Sequence, residues 1–269
     1  MDRHPIVAGR FYDARPDRLH AVVDGFLSLA GKRQQEPTLL AMVPHAGYVF
    51  SGEVCGRTLG AANLASIVVL LGPNHTGRGE RFALWPDGAW LVPGGSLAVN
   101  TALAEALLAA DPGIKADTAA HMGEHSLEVV LPFLHRLNPD TTIVPVCVSL
   151  PGLESLERVG RAMGKVLADF PEPVSLVVSS DMSHYISHEN ARKMDGMALE
   201  PVMTLEPAKL YETVRSQGIT MCGVLPMTAG LYAARELGAT HAELVAYATS
   251  GEASGDFEQV VGYAGVLVR

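Results

Sequence analysis

Six short apolar runs alternate with amphipathic segments along the chain. Several of the runs are almost continuously apolar, which is typical of strands that are covered on both faces. The predicted strands are 38–43, 65–71, 142–149, 174–179, 242–249 and 259–268. The last two are separated only by SGEASGDFE, so they are expected to form a hairpin-like pair at the edge of a sheet.

Three helices are predicted from periodicity and end signals. Asn100 is a favourable N-cap for the segment TALAEALLAA that follows it. Segment 152–168 has apolar residues at helical spacing, and 226–237 begins with Pro226 and ends before Gly238, the usual asymmetry of helix ends.

A fourth helix is predicted over 124–137. One helical face carries four apolar residues, Leu127, Val130, Leu131 and Leu134. Pro132 is expected to kink this helix or to limit its length, because proline removes a backbone donor.

Strands that alternate with helices predict an α/β protein, specifically an α/β/α sandwich around a mostly central mixed sheet. A chain of 269 residues is long enough to bury one large core. The sequence contains no internal repeat and no dividing linker, so we expect one domain over 1–269.

Composition narrows the classes of partner and compartment. The net charge of −9, without a basic stripe, argues against nucleic acid and against an anionic membrane surface. The start MDRHPIVAGRFYD has no apolar signal core, and the apolar run ASIVVLL is too short to span a bilayer. Three cysteines are too few and too scattered for a disulfide framework, which favours a reducing, cytoplasmic location.

Histidines follow three of the predicted strands. Strand 38–43 runs into Pro44-His45, strand 65–71 into Gly-Pro-Asn-His75, and strand 174–179 into a segment that carries Asp181 and His184. A single loop histidine is more often exposed or locally hydrogen-bonded than functional. Because ligands of α/β sheets collect beyond the carboxyl ends of the strands, three such exits predict one shared crevice.

Glu124-His125-Ser126 is predicted to open the helix over 124–137. Capping and first-turn charge account for Glu124 and Ser126. They do not account for His125, because a positive imidazole is disfavoured at a helix N-terminus, so a neutral, proton-handling role is predicted for it.

Cys222 precedes the helix predicted to begin near Pro226. A buried, inert thiol is the usual state of a free cysteine, but a cysteine just before a helix is expected to have a stabilised thiolate that can bind metal. Cys55, in a small-residue helix, and Cys147, inside a strand, are predicted to be structural.

Six motifs in order along the chain resemble one known family. They are PHAGYVFSG, LGPNH, EHSLEVVLPFL, SSDMSHY, TMCG and YATSGEASGDFEQVVGYAG, and the early VAGRFY fits the same pattern. The chain resembles the Memo family, called AmmeMemoRadiSam system protein B in prokaryotes, which is similar in fold to the LigB-type class III extradiol dioxygenases. Nearly the whole chain is covered by the resemblance.

The resemblance implies a metal pocket. The implied ligands are His45, His75 and Cys222; Asp181 and His184 would line the same pocket, with His184 as the acid–base histidine, and His125 would lie nearby. It also implies a pathway link to an AMMECR-type protein and a radical-SAM protein. Gly123 stands where many relatives carry an acidic residue, and Thr76 stands where some carry a second histidine. These differences are expected to change the affinity for metal.

The donor set leaves the chemistry open. Two imidazoles and a thiolate favour copper or zinc and still permit iron. The first reading is a non-haem oxidoreductase that uses iron or copper on an unidentified small molecule. The alternatives are a zinc hydrolase with Asp181 or His184 as base, and a non-catalytic binding module for a small or a phosphorylated or acidic ligand.

Overall fold

The computed structural model describes residues 1–149 and 152–269. Its strands, in chain order, are β1 Leu40–Val43, β2 Ile67–Pro73, β3 Phe82–Leu84, β4 Ala89–Val92, β5 Gly95–Ala98, β6 Ile114–Ala116, β7 Thr142–Val148, β8 Val174–Ser179, β9 His184–Ile186, β10 Ala242–Thr249 and β11 Val260–Val268. Its α-helices are α1 Pro16–Ser28, α2 Tyr48–Ala61, α3 Thr101–Ala110, α4 Leu131–Leu137, α5 Leu153–Asp169, α6 His188–Met203, α7 Pro207–Ser216, α8 Val224–Glu236 and α9 Gly251–Ser254. All six predicted strands are present, and Asn100 caps α3 by accepting a hydrogen bond from the Leu103 amide.

One mixed sheet forms the centre of the fold. Its strand order is β10-β11-β1-β8-β2-β7-β3-β6, with β9 paired to β11. Strands β1, β8, β2 and β7 are mutually parallel, whereas β10, β11 and β3 join antiparallel. The α/β/α prediction with a mixed central sheet is therefore confirmed, and so is the β10–β11 pair, in which β10 forms the edge of the sheet.

Glycines let the helices pack closely around the sheet. Helix α8 packs on β1, β2 and β8, and α5 packs on α8. A Cβ on Gly160 of α5 would lie 2.5 Å from the Ala229 carbonyl oxygen of α8, so a larger residue would force the two helices apart. Elsewhere, α2 packs on β1, β10 and β11, and its Gly56 has the backbone of Phe26 in α1 against it.

The helix predicted over 124–137 is wrong in its first half. Residues 124–127 are not helical; a short 3-10 helix covers Glu128–Val130, and α4 begins only at Leu131. Pro132 lies in the first turn of α4, where the lack of an amide hydrogen costs nothing, so it helps to start this helix instead of kinking it.

Cys55 and Cys147 lie in the kinds of element that the sequence predicted for them. Cys55 is buried in α2 and Cys147 is buried in β7. In the part of the chain that the structure describes, no helix is long and apolar enough to cross a bilayer.

Candidate functional site

Three neighbouring parallel strands deliver the site residues to one edge of the sheet. Strands β1, β8 and β2 lie side by side and end just before His45, Asp181 and His75. Their common direction brings three chain segments together that are far apart in sequence, which is the convergence expected from the histidine pattern.

Three imidazole rings form the centre of the site. The ring centroid of His45 lies 5.3 Å from that of His75 and 5.5 Å from that of His125, and the rings of His75 and His125 stack at 4.9 Å. One nitrogen from each of the three rings lies within 4.8 Å of the others. His125 therefore belongs to the same cluster as the two histidines predicted as ligands.

Ser179 fixes the tautomer of His45. The Ser179 hydroxyl donates to the Ser126 carbonyl oxygen at 2.7 Å, which uses its only hydrogen. At 2.6 Å from His45 Nδ1, the hydroxyl must then accept, so His45 carries its hydrogen on Nδ1 and leaves the Nε2 lone pair free. Burial and the nearby His75 and His125 lower the His45 pKa well below its ordinary value, which keeps the ring neutral.

Glu124 is a buried carboxylate that organises the loops around His75, and it does not act as a helix cap. Its Oε1 accepts from His75 Nδ1 at 2.9 Å and from the amides of His125 and Ser126, and its Oε2 accepts from the His75 amide. Burial alone would raise the Glu124 pKa, but the hydrogen bonds and charge of His75 outweigh it and lower the pKa to about 2. Burial alone would lower the His75 pKa, but the hydrogen bond to Glu124 and the charge of Glu124 outweigh burial and raise it. The carboxylate therefore fixes the His75 ring through Nδ1.

His125 is held less tightly than the other two imidazoles. Its Nδ1 lies 3.5 Å from Glu124 Oε1, and its ring meets Phe11 edge-on at 5.0 Å. Burial lowers its pKa, which favours the predicted neutral state, whereas the predicted cause, a helix N-terminus, is wrong because residues 124–127 are not helical.

Cys222 lies against His45. Its Sγ is 3.4 Å from His45 Nε2 and accepts from the Asp181 amide at 3.2 Å. Burial and the nearby Asp181 raise its thiol pKa well above the ordinary value. The predicted stabilised thiolate is therefore wrong for the protein alone: α8 begins two residues later, and the loss of solvent outweighs any helix effect.

Asp181 lies on the short connection from β8 to β9, and His184 is the first residue of β9. Asp181 Oδ1 accepts from the His45 amide at 2.8 Å, and burial raises the Asp181 pKa despite this bond. His184 Nδ1 donates to the Thr220 carbonyl oxygen at 2.9 Å, which leaves its Nε2 as a free acceptor. Both residues therefore present groups that can hold or accept a proton.

A cleft of about 1070 Å³ opens over these groups. His125, Asp181 and His184 line it, together with apolar side chains such as Phe11, Tyr48 and Phe50. His45, His75 and Cys222 lie behind this lining and touch it through His125 and Asp181. The arrangement places a donor cluster at the base of a mostly apolar cavity, which is the usual form of a small-molecule site.

A buried ion pair clips the N-terminal segment to the site. Arg3 Nη1 and Glu128 Oε2 lie 2.8 Å apart, and both side chains are almost fully buried. Arg3 also donates to the carbonyl oxygens of His121 and Glu124. The Arg3–Glu128 ion pair holds residues 9–13, which form one wall of the cleft, beside His125.

Sequence reasoning missed the residues that support the imidazoles. Ser179 reads as an ordinary residue of a buried strand, and Glu128 as a first-turn acid. The sequence predicts only a capping role for Glu124, although its position beside His125 indicates that it lies near the site. Each of these side chains acts on a partner more than forty residues away along the chain.

Comparisons with known proteins agree with this architecture. A family model described as "Memo-like protein" matches residues 3–267. A MEMO1 family protein of Methanopyrus kandleri is 38% identical, covering 100% of this chain and 99% of the relative, and one of Aquifex aeolicus is 38% identical, covering 98% of each. An uncharacterized protein of Escherichia coli K12 has a similar fold, with a TM-score of 0.56 and 14% identity, covering 84% of this chain and 98% of that one.

Proposed function

The chain belongs to the Memo-like family, and on that premise we propose that it is a metal-dependent, non-haem oxidoreductase acting on a small molecule. His45, His75 and Cys222 hold one iron or copper ion, and His125, Asp181 and His184 handle protons in the cleft above it. The observation that carries the proposal is the gathering of three imidazoles within 4.8 Å, with a cysteine sulfur 3.4 Å from one of them.

Both proposed histidine ligands are oriented by a hydrogen bond at Nδ1. The bond to Ser179 leaves Nε2 of His45 without a hydrogen, and the bond to Glu124 fixes the ring of His75. Partners of this kind orient metal-binding histidines and raise their basicity.

The donor spacing fits a metal ion. For bond lengths of a tetrahedral site, a nitrogen and a sulfur on one ion lie roughly 3.5 Å apart, close to the 3.4 Å between His45 Nε2 and Cys222 Sγ. One nitrogen each of His45, His75 and His125 lies within 4.8 Å of the others. A bound cation would also deprotonate the Cys222 thiol, which reverses the effect of burial on its pKa.

His125 is assigned to proton handling because it is the least constrained of the three. Its side chain is 25% exposed and lines the cleft. Its Nδ1 lies 3.5 Å from Glu124 Oε1, which is too far for a good hydrogen bond. A ring with freedom to turn can exchange protons with a substrate, whereas a ligand needs a fixed direction.

Iron or copper would supply one-electron redox chemistry when bound. The chain's own residues supply the rest: His184 offers Nε2 as a base, and Asp181, with its raised pKa, holds a proton near neutral pH more readily than an exposed carboxyl. The apolar cleft excludes water from the reacting groups. A place beside AMMECR-type and radical-SAM proteins remains part of this proposal.

Elemental analysis of full-length protein, purified without chelator or affinity metal, tests the assignment. We expect close to one iron or copper per chain in the wild type, and loss of the metal in His45→Ala and Cys222→Ala. Cys55→Ala is the matched control, because this buried thiol lies in α2 and is not expected to bind metal.

Other outcomes redirect the proposal. Zinc alone would favour the hydrolase, which should then act without dioxygen. Metal that survives Cys222→Ala and is lost in His125→Ala would exchange the roles of these two residues. A protein that takes up no metal, even after anaerobic reconstitution, would overturn the oxidoreductase and favour a binding module.

A further inference from the structure

The segment from Asp181 to His184 is bound to strand β11, where β9 pairs with Val260 and Val261 and the residues before β9 bind Gly262. The Met182 amide donates to the Gly262 carbonyl oxygen at 2.8 Å, and the Gly262 amide donates to the Ser183 carbonyl oxygen at 2.9 Å. These two bonds hold the middle of the segment in place and leave Asp181 and His184 on either side of it.

A second, buried group reaches the same point. Asp195, on α6, is fully buried; its Oδ1 accepts from the Ser183 amide at 2.9 Å, and its Oδ2 accepts from the Tyr247 hydroxyl at 2.7 Å. No lysine or arginine among the described residues forms an ion pair with it. Burying an unpaired carboxylate is costly, so its place beneath this segment calls for a reason beyond packing.

Gly262 makes room for that carboxylate. A Cβ at position 262 would lie 2.0 Å from Asp195 Oδ2, so any other residue would displace the carboxylate or the strand. Gly262 therefore has two roles. Its backbone binds the segment around Ser183, and its lack of a side chain lets Asp195 reach the Ser183 amide.

The backbone of β9 is strained just after these hydrogen bonds. Tyr185 has φ +57°, a left-handed conformation that is unfavourable for a non-glycine residue. The His184 amide donates to Thr220 Oγ1 at 2.7 Å while its Nδ1 donates to the Thr220 carbonyl oxygen. Such a strained conformation persists only where several contacts fix it, and the hydrogen bond from the Ser183 amide to Asp195 is one of these contacts.

We propose that Asp195 is a positioning residue: by accepting the Ser183 amide above Gly262, it sets the backbone from which Asp181 and His184 enter the cleft. The inference rests on the proposed function for the roles of those two residues. Asp195 touches neither the cleft nor the proposed metal ligands, and it acts through Ser183.

The test is the tautomer of His184, read from the two ring nitrogen resonances of metal-free, full-length protein. We expect one protonated and one unprotonated nitrogen in the wild type, because Nδ1 is committed to Thr220. Asp195→Ala should release that hydrogen bond and give averaged, tautomer-exchanging signals. Asp195→Asn should restore the wild-type pattern, since its amide oxygen still accepts from Ser183 and its NH₂ group can donate to the Tyr247 oxygen.

Two further variants keep the test decisive if Asp195→Ala folds poorly. Gly262→Ala retains the carboxylate and pushes it from its place, so it should reproduce the His184 signature of Asp195→Ala. Tyr247→Phe removes the other hydrogen bond of Asp195 and should leave His184 as in the wild type. His121, buried and bound to Ala83, serves as the internal reference in each spectrum.

A wild-type His184 pattern in both Asp195→Ala and Gly262→Ala would overturn the proposal, and so would equal changes in His184 and His121. Because the spectra are recorded without metal, their outcome is separate from that of elemental analysis. A protein that fails to bind metal but gives these spectra would leave Asp195 as the positioning residue of a non-metal site.

Discussion

Replacing Glu128 with glutamine should destabilise the protein more than any exposed acid-to-amide change. The carboxylate accepts from Arg3 Nη1 and Tyr12 Oη at 2.8 Å and from the amides of Ile6 and Val7 at 2.9 Å. Glutamine keeps one acceptor oxygen, turns an NH₂ group toward these donors, and leaves the Arg3 charge buried without a counter-ion.

The magnitude follows from burial. The Glu128 and Arg3 side chains are 0% and 1% exposed, and removing one partner of such a pair costs about 3–5 kcal/mol. Glu36 provides the matched control: it also pairs with an arginine, Arg269, at 3.4 Å, but its side chain is 72% exposed. Glu36→Gln should cost less than about 1 kcal/mol.

Urea unfolding at pH 7 measures both variants, and trypsin cleavage after Arg10 reports on the N-terminal segment itself. Arg10 is exposed in a segment that Glu128 holds down, so cleavage there should quicken in Glu128→Gln before the rest of the protein is attacked. If Glu128→Gln unfolds within 1 kcal/mol of Glu36→Gln and is cleaved no faster than the wild type, the assigned role of the ion pair is refuted.

Three further predictions follow from named contacts. Glu124→Gln should weaken metal binding about 10–100-fold, measured by competition with a chelator, because the amide can no longer fix His75; unchanged affinity would contradict this. Ser179→Ala should weaken binding by freeing the His45 tautomer, whereas Ser175→Ala, a buried serine of the same strand bonded to Thr38 and Ala65, should lower stability alone; equal effects on metal would refute the distinction. Burial lowers the His121 pKa from 6.5 to about 4, so the unfolded chain takes up a proton first as the pH falls, and roughly 3 kcal/mol of stability is lost between pH 6.5 and 4. Urea titrations across that range should show a smaller loss in His121→Gln, and parallel curves would contradict the assignment.

The sequence was informative about the fold where a local pattern decides the structure. Strands β2 and β8 are nearly continuous apolar runs, and they are central and buried. The three- and four-residue strands β3 to β6 are too short to show any period. Helix α6 was not predicted, and it contains Pro201, a residue that argues against a helix interior.

The site divides in the same way. The strand exits placed His45, His75 and Asp181 together because parallel neighbours end at one edge. What sequence could not supply is the choice of partner across the fold, such as Ser179 for His45 or Asp195 for Ser183. Those contacts depend on how deeply each side chain is buried and on the spacing of the backbone. Burial also raises the pKa of the Cys222 thiol, which the local sequence did not show.

The order of strands in the sheet has a consequence for biosynthesis. His45 and Cys222 are separated by 177 positions, and β11, which follows β10 in the chain, inserts between β1 and β10. A nascent chain therefore carries His45 and His75 long before it carries Cys222 or the strand that clamps Asp181 and His184. The proposed site is therefore incomplete until Cys222 has been synthesised, and until β11 pairs with β1 the edge of β1 is open to pairing with other chains.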